Sequence, residues 1–343
     1  MRPAHVSTRV SASRVALAIA SLALLASACS GTGSAATSQA PSGTSITVGV
    51  VPGADNAPLR VAVNDGLFSQ HGLNVTIKTY SSLAPEFQAL TSGQIDVAAG
   101  DYVDFKYQEA TGKASLHLIA DGYDATSGIM EILTLPGSGV TTPKDLAGKT
   151  VATPPAQLIP PTGGNSYAHD NVPYSLETLA TESVLLSDGV SPATVTWKPT
   201  PPQDLVQELS SRQVKAILAT EPYVLQAESQ LGAVEVFDSL SAETATLPLS
   251  GYFSLAAYNR THASAVAAFQ AALSTAQADS SMRGPVQAVL PSFTGMKAQQ
   301  ASLVTLGSYP TFLNAGQVQR VAGLMYDSGM ISNPLNVNSM LSG

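Results

Sequence analysis

The chain is 343 residues long, room for two ordinary domains or one large two-lobed one. Apolar residues make up 44% and charged residues 12%, against roughly 25% charged in typical soluble domains, so a sizeable core is available and disorder is excluded. Sixteen Lys and Arg oppose 24 Asp and Glu, a net charge of −8. Residues 1–28 hold Arg2, Arg9 and Arg14 and no acid, so residues 29–343 carry 13 basic and 24 acidic residues, or −11. Such a surface repels phosphate backbones and anionic headgroups, which argues against nucleic-acid binding. One cysteine leaves no disulfide scaffold and no multi-cysteine metal site.

Residues 1–28 have the three parts of an export signal: a basic start, the apolar run from Val15 to Leu25, and the small residues Ala26-Ser27-Ala28. The run is too short to span a bilayer comfortably. Cys29 stands directly after these small residues and resembles the lipidated cysteine of a bacterial lipobox, with Ala26 where Leu is usual. Residues 29–45, rich in Gly, Ser, Thr and Ala and free of charge, read as a flexible tether. The expectation is an extracytoplasmic protein, lipid-anchored to the outer face of the cytoplasmic membrane.

The body opens with a strand, Ile46–Val51, ended by Pro52-Gly53. Asp55, Asn56 and Pro58 signal a helix start, and the helix is expected from Leu59 to Ser69. Asn74–Tyr80 alternates as a strand; Ser81 and Ser82 can cap a helix around Glu86–Leu90; Ile95–Ala99 is the next strand, and Asp101-Tyr102 opens another helix. The pattern restarts near Leu135, with strands at Lys149–Thr153, Ala193–Trp197, Lys215–Ala219 and Val234–Phe237. Helices are expected at Tyr174–Leu186, Pro202–Ser211 and Glu221–Leu231. Tyr252–Tyr258 reads as one more strand, and the remainder is helical by periodicity: His262–Ala278, Pro285–Leu290, Lys297–Leu306 and Gln317–Asp327. Strand–helix alternation with short links implies an α/β fold, each sheet mainly parallel and covered on both faces.

Motifs for chemistry are scarce. There is no Gly-x-Ser-x-Gly, His-Glu-x-x-His, Walker-type loop or Gly-x-Gly-x-x-Gly, and the five histidines lack metal-ligand spacing. No catalytic residue, metal or cofactor is expected. The informative positions are loops at the carboxyl ends of strands, where open α/β sheets bind ligands and helix N-termini offer free N–H groups. They hold Asp55 and Asn56, Ser82, Asp101 and Tyr102, Tyr123 between Asp121 and Asp124, Thr153, and Glu221-Pro222-Tyr223.

Residues 57–75 and 90–100 resemble the ABC-transporter solute-binding proteins for nitrate, sulfonate, taurine and thiamine-pyrimidine precursors, as do, more weakly, Asp145–Val151, Glu221-Pro222-Tyr223 and Tyr326–Ile331. In order, these cover the body from about 46 to 335. The resemblance implies a periplasmic-binding-protein type 2 fold, with 46–133 plus 240–343 as one lobe and 134–239 as the other. It implies a monomer that closes on a small molecule and docks on an ABC permease and its ATPase. It places Asn56, Ser82, Asp101 and Tyr102 at the cleft with Tyr123 nearby, and Glu221, Pro222 and Tyr223 on the second-lobe wall. The stretch Gln157–Asn171 departs from the compact loop usual there.

These loops carry Asp55, Asp101 and Glu221 and neither Arg nor Lys. Carboxylates in a dry cleft repel an anion and accept hydrogen bonds from amino or ring N–H groups. The expected ligand is therefore a neutral or cationic nitrogen-containing molecule, such as a thiamine-pyrimidine-like ring, with a sulfonate, taurine or nitrate as the alternative. A lipoprotein presenting its ligand to a sensor is a further reading. Enzymes on the same fold fit poorly: a yeast-type pyrimidine synthase needs a cysteine-rich iron-binding run, and a menaquinone-pathway lyase would carry no leader.

Overall fold

The computed structural model describes residues 43–160 and 174–341. The export signal, Cys29, nearly all of the tether and most of the Gln157–Asn171 stretch lie outside the described residues. Everything described belongs to one compact unit, Pro41–Gly343.

In chain order the first part is β1 (Thr44–Val50), α1 (Ala57–Asn64), α2 (Leu67–Gln70), β2 (Leu73–Thr79), α3 (Leu83–Thr91), β3 (Val97–Asp101), α4 (Tyr102–Ala110) and β4 (Leu116–Asp124). The second is β5 (Met130–Thr134), β6 (Thr150–Thr153), α5 (Leu176–Ser187), β7 (Thr196–Pro199), α6 (Leu205–Ser210), β8 (Ala216–Thr220), α7 (Tyr223–Leu231) and β9 (Val234–Asp238). Then come β10 (Pro248–Leu255), α8 (Ala256–Thr261), α9 (Ala263–Ser280), α10 (Arg283–Thr294), α11 (Ala298–Leu303), α12 (Ala315–Asp327) and α13 (Asn338–Leu341).

Two five-stranded sheets result, ordered β2-β1-β3-β10-β4 and β7-β6-β8-β5-β9. In each, four strands run one way and the fourth in order, β10 or β5, runs antiparallel to both neighbours. The two sheets have the same plan, and each reversed strand is the one the chain lays down just after crossing from the other sheet. The expected boundary at 134 moves earlier, because Met130–Thr134 pairs with β8 and β9. The crossings 125–129 and 239–247 touch: Ala125 N–H donates to Leu247 O at 2.8 Å.

Local chemistry explains most boundaries. The expected helix from 59 to 69 is broken into α1 and α2 at Gly66, whose φ of 69° is reached without a Cβ penalty. The expected strand Tyr252–Tyr258 ends at Leu255, and α8 follows at once. Phe269 of α9 is fully buried against Phe68, rings 5.2 Å apart, and Phe105 stacks on Phe253 at 4.5 Å. Each such ring contributes about 1.5–3 kcal/mol by burial. Among the described residues no helix is long and apolar enough to cross a membrane.

Candidate functional site

The loop after β6 in the second sheet reaches the openings of α3 and α4, which follow β2 and β3 in the first. From the second lobe, Gln157 Oε1 accepts the Leu83 N–H at 2.9 Å, and the Leu158 N–H donates to Asp104 Oδ1 at 2.8 Å. Glu177, in the first turn of α5, raises Asp104 by its charge and is itself raised by burial and then by Asp101. Acids of both lobes therefore face one another.

On the first-lobe side Asp55 is the centre. Burial pushes it up to about 6, opposed by a hydrogen bond from Ser250 and by local amides. Its charge is felt by Tyr123, Tyr252 and Tyr309, whose hydroxyls are all raised chiefly by burial. Tyr123 and Tyr309 lie ring against ring, 5.2 Å apart, and the Tyr309 hydroxyl donates to Ala54 O at 2.7 Å. The Gly307 N–H donates to Tyr123 Oη. Glu86, fully buried and pushed up to about 8 by burial with Asp55 adding, accepts the Ala99 N–H at 3.0 Å. Its Oε2 and the Tyr252 hydroxyl have no partner among the described residues.

The positions singled out in the sequence divide into two groups. Asp101 is half-buried and caps α4, accepting the Asp104 N–H at 2.8 Å, and burial with the neighbouring Asp104 raises its carboxyl. Ser82 takes the N-cap position of α3 without a side-chain bond, the helix amide going to Gln157 instead. Tyr123 is buried beside Tyr309, its ring tilted against that of its neighbour. Others point away from open space. Asn56 is 2% exposed and spent on its own loop, bonding Val51 O and the Gly53 N–H. Tyr102 is fully buried in the first-lobe core, its hydroxyl on Asp121 Oδ1 at 2.9 Å, because the first residue of α4 turns inward beneath β10. Thr153 is likewise fully buried. Tyr223 is half-buried at the start of α7, its hydroxyl raised by burial and by Asp204 of its own lobe.

Glu221 serves differently from the expectation. Its Oε1 accepts the Thr305 N–H at 2.8 Å and its Oε2 the Leu225 N–H at 3.1 Å, so both oxygens are taken by backbone. Glu177, Gln157 and Tyr309 were not among the sequence candidates. Glu177 had only its place as the acid in the first turn of α5 as a signal, since the capping box there joins Ser175 to Thr178; the other two had none. Arg283, whose charge reaches Tyr123 and Tyr309, keeps its guanidinium on the carbonyls of Ser302 and Val304. Among the described residues no group of acids, histidines and cysteines could hold a metal ion. The arrangement sets acids of the two lobes against one another and packs two buried tyrosine rings together beside Asp55.

The model of the NMT1-like family matches residues 39–277. Among solved structures, the periplasmic aliphatic sulphonate binding protein SsuA from Escherichia coli is 17% identical at a TM-score of 0.67, over 87% of this chain and 97% of that one. The alkanesulfonate-binding protein SsuA from Xanthomonas axonopodis pv. citri, bound to MOPS, is 18% identical at 0.65, over 88% and 99%. The desulfurization enzyme DSZB is 14% identical at 0.62, over 87% and 96%. At these identities the likeness shows the two-lobed periplasmic-binding fold and nothing finer. No curated protein sequence gives a significant match.

Proposed function

The chain belongs to the NMT1-like family, and from that premise we propose that it is the extracytoplasmic solute-binding component of an ABC importer, capturing a small molecule by lobe closure and passing it to the permease. The likeness to periplasmic binding proteins over nearly their whole length supports the class. Closure follows from differential contact: a ligand touching both lobes favours the state in which both touch it. Residues 1–28 serve as the export signal and Cys29 as the lipid anchor; Cys29→Ser then releases the protein from the membrane fraction.

The ligand is a neutral or cationic nitrogen-containing molecule, a thiamine-pyrimidine-like ring being the model compound. One observation carries this: the charge of Asp101 in one lobe raises Glu177 in the other, and both are raised chiefly by burial. Asp55, also raised by burial, acts on the paired Tyr123 and Tyr309, and Arg283, whose charge reaches the same rings, is held on the carbonyls of Ser302 and Val304. An N–H donor or cation relieves that desolvation, whereas an anion deepens it.

The test is a thermal-shift screen of the protein against pyrimidines, polyamines, riboflavin, sulfonates, nitrate and bicarbonate, with calorimetry on any hit. A ligand at a hundred times its Kd adds about 2.7 kcal/mol, a shift of several degrees. Binding of an amino-pyrimidine or amine supports the reading; tight binding of alkylsulfonates with none of pyrimidines overturns the ligand class while leaving the transport role.

A further inference from the structure

The loop after β6 belongs to the second lobe, yet it lies on the first. Three hydrogen bonds hold it there: Leu83 N–H to Gln157 Oε1 at 2.9 Å, Leu158 N–H to Asp104 Oδ1 at 2.8 Å, and Gln108 Nε2 to Leu158 O at 2.9 Å. Ile159, next along, is 3% exposed. The first bond is the telling one. The opening amides of a helix have no partner within it, Ser82 supplies no side-chain cap, and a side chain 74 residues away satisfies the Leu83 amide.

We infer that residues 154–160 form a clasp that draws the two lobes together before any ligand arrives, with Gln157 as its positioning residue. The free protein then populates the closed state appreciably, and a ligand adds to an equilibrium already tilted its way. Apparent affinity is the intrinsic affinity scaled by the competent fraction, so loosening the clasp weakens every ligand by the same factor and leaves their ranking alone. That consequence for affinity rests on the cleft being the ligand site; the clasp itself does not.

The experiment is hydrogen–deuterium exchange on the ligand-free full chain, reading the Leu83 amide in the wild type, Gln157→Leu and Gln157→Glu, with small-angle scattering on the same samples. Gln157 is exposed, and the Leu variant keeps the bulk while removing the acceptor. The expected result is Leu83 exchange about tenfold faster in Gln157→Leu, with a larger radius of gyration, while Gln157→Glu keeps an acceptor and matches the wild type. Equal exchange in wild type and Gln157→Leu overturns the clasp, as does an open radius of gyration in the wild type. Since no ligand enters this measurement, tight binding of alkylsulfonates and none of pyrimidines, together with the expected exchange pattern, would overturn the ligand class and keep the clasp.

Discussion

Glu221 at the end of β8 accepts the Thr305 N–H at 2.8 Å, tying the second lobe to the segment that runs back along the first. The same segment is held by Asp124, which exchanges backbone bonds with Ser308, and by Thr126, whose hydroxyl reaches Leu306 O at 3.0 Å. Residues 305–309 are therefore a fixed spine between the lobes, and Tyr309 at its end owes its place beside Asp55 to these bonds.

Removing the Glu221 carboxylate strands two backbone amides, those of Thr305 and Leu225. Both bonds are part-buried, so the loss lies toward the low end of the roughly 1–3 kcal/mol that an unpaired buried donor costs. Glu221→Ala is expected to melt several degrees below the wild type. Glu221→Gln, which keeps one oxygen, falls between the two. Equal melting of Glu221→Ala and wild type by calorimetry would show that the tie carries no stability.

Gly307→Ala tests the spine from another side. A Cβ there would meet Asp124 O at 2.4 Å and Tyr123 Cζ at 2.7 Å. Neither backbone nor a pinned ring yields cheaply, and overpacking of this kind costs about 1–3 kcal/mol. The variant should lose stability and, by displacing Tyr123 and Tyr309, ligand affinity as well. Denaturant titration and calorimetry read the two effects separately.

Asp101→Asn separates charge from capping. Asparagine caps as well as aspartate, so α4 keeps its bond to the Asp104 amide and the melting temperature stays within about a degree, equivalent to a few tenths of a kcal/mol. Binding of a cationic ligand should weaken about tenfold or more with the loss of a charge-assisted partner. An unchanged Kd would remove Asp101 from the site.

Protons should move when a cation binds. Asp55, at about 6 in the free protein, is ionised more fully beside a bound cation, so binding near pH 6 releases protons and affinity rises with pH through that region. Calorimetry in buffers of differing ionisation enthalpy checks this. Affinity that falls as pH rises would contradict a cationic ligand.

The buried acids also set how stability varies with pH. Asp55 and Asp124 lie at about 6, Asp121 and Glu131 at about 7, Glu86 and Glu182 at about 8, each raised first of all by burial. Unfolded carboxyls titrate at about 4. Between about pH 4 and 8 the folded chain thus holds more protons than the unfolded one, and stability falls as pH rises through that window. Lys106 and His117, lowered by burial, and Asp145, lowered by hydrogen bonds, work in the opposite sense, but Asp101, Asp104, Glu177 and Glu221, all raised first by burial, add to the six. Melting at pH 5 should exceed melting at pH 8; the reverse order would mean these carboxyls are hydrated.

Although β4 and β5 were not among the expected strands, much of the alternation of strands and helices was legible, because many strands are short and closed by Gly, Pro or a capping residue, as with Ile46, Val48 and Val50 before Pro52. The break at Gly66 and the end of β10 at Leu255 were not, since Gly66 sits inside a helical period and Ala256–Tyr258 continue an apolar run. At the site, sequence could find loops at strand ends but not which way their side chains turn. Asn56 and Tyr102 looked equivalent to Asp55 and Asp101, and one residue of offset sends them into the core. Gln157 and Tyr309 act across 74 and 255 residues of chain, a separation that leaves no local trace.

The order of strands in the first sheet has a consequence for how the chain is made. Among the described residues β4 has a single strand neighbour, β10, so from the moment residue 124 is synthesised its backbone waits for residue 248. A polypeptide growing from its amino end must build the whole of the other sheet before the earlier one can be completed. The first sheet is thus completed only after the second has been made, and a chain stopped short of β10 would leave β3 and β4 with unpaired edges of the kind that seed association.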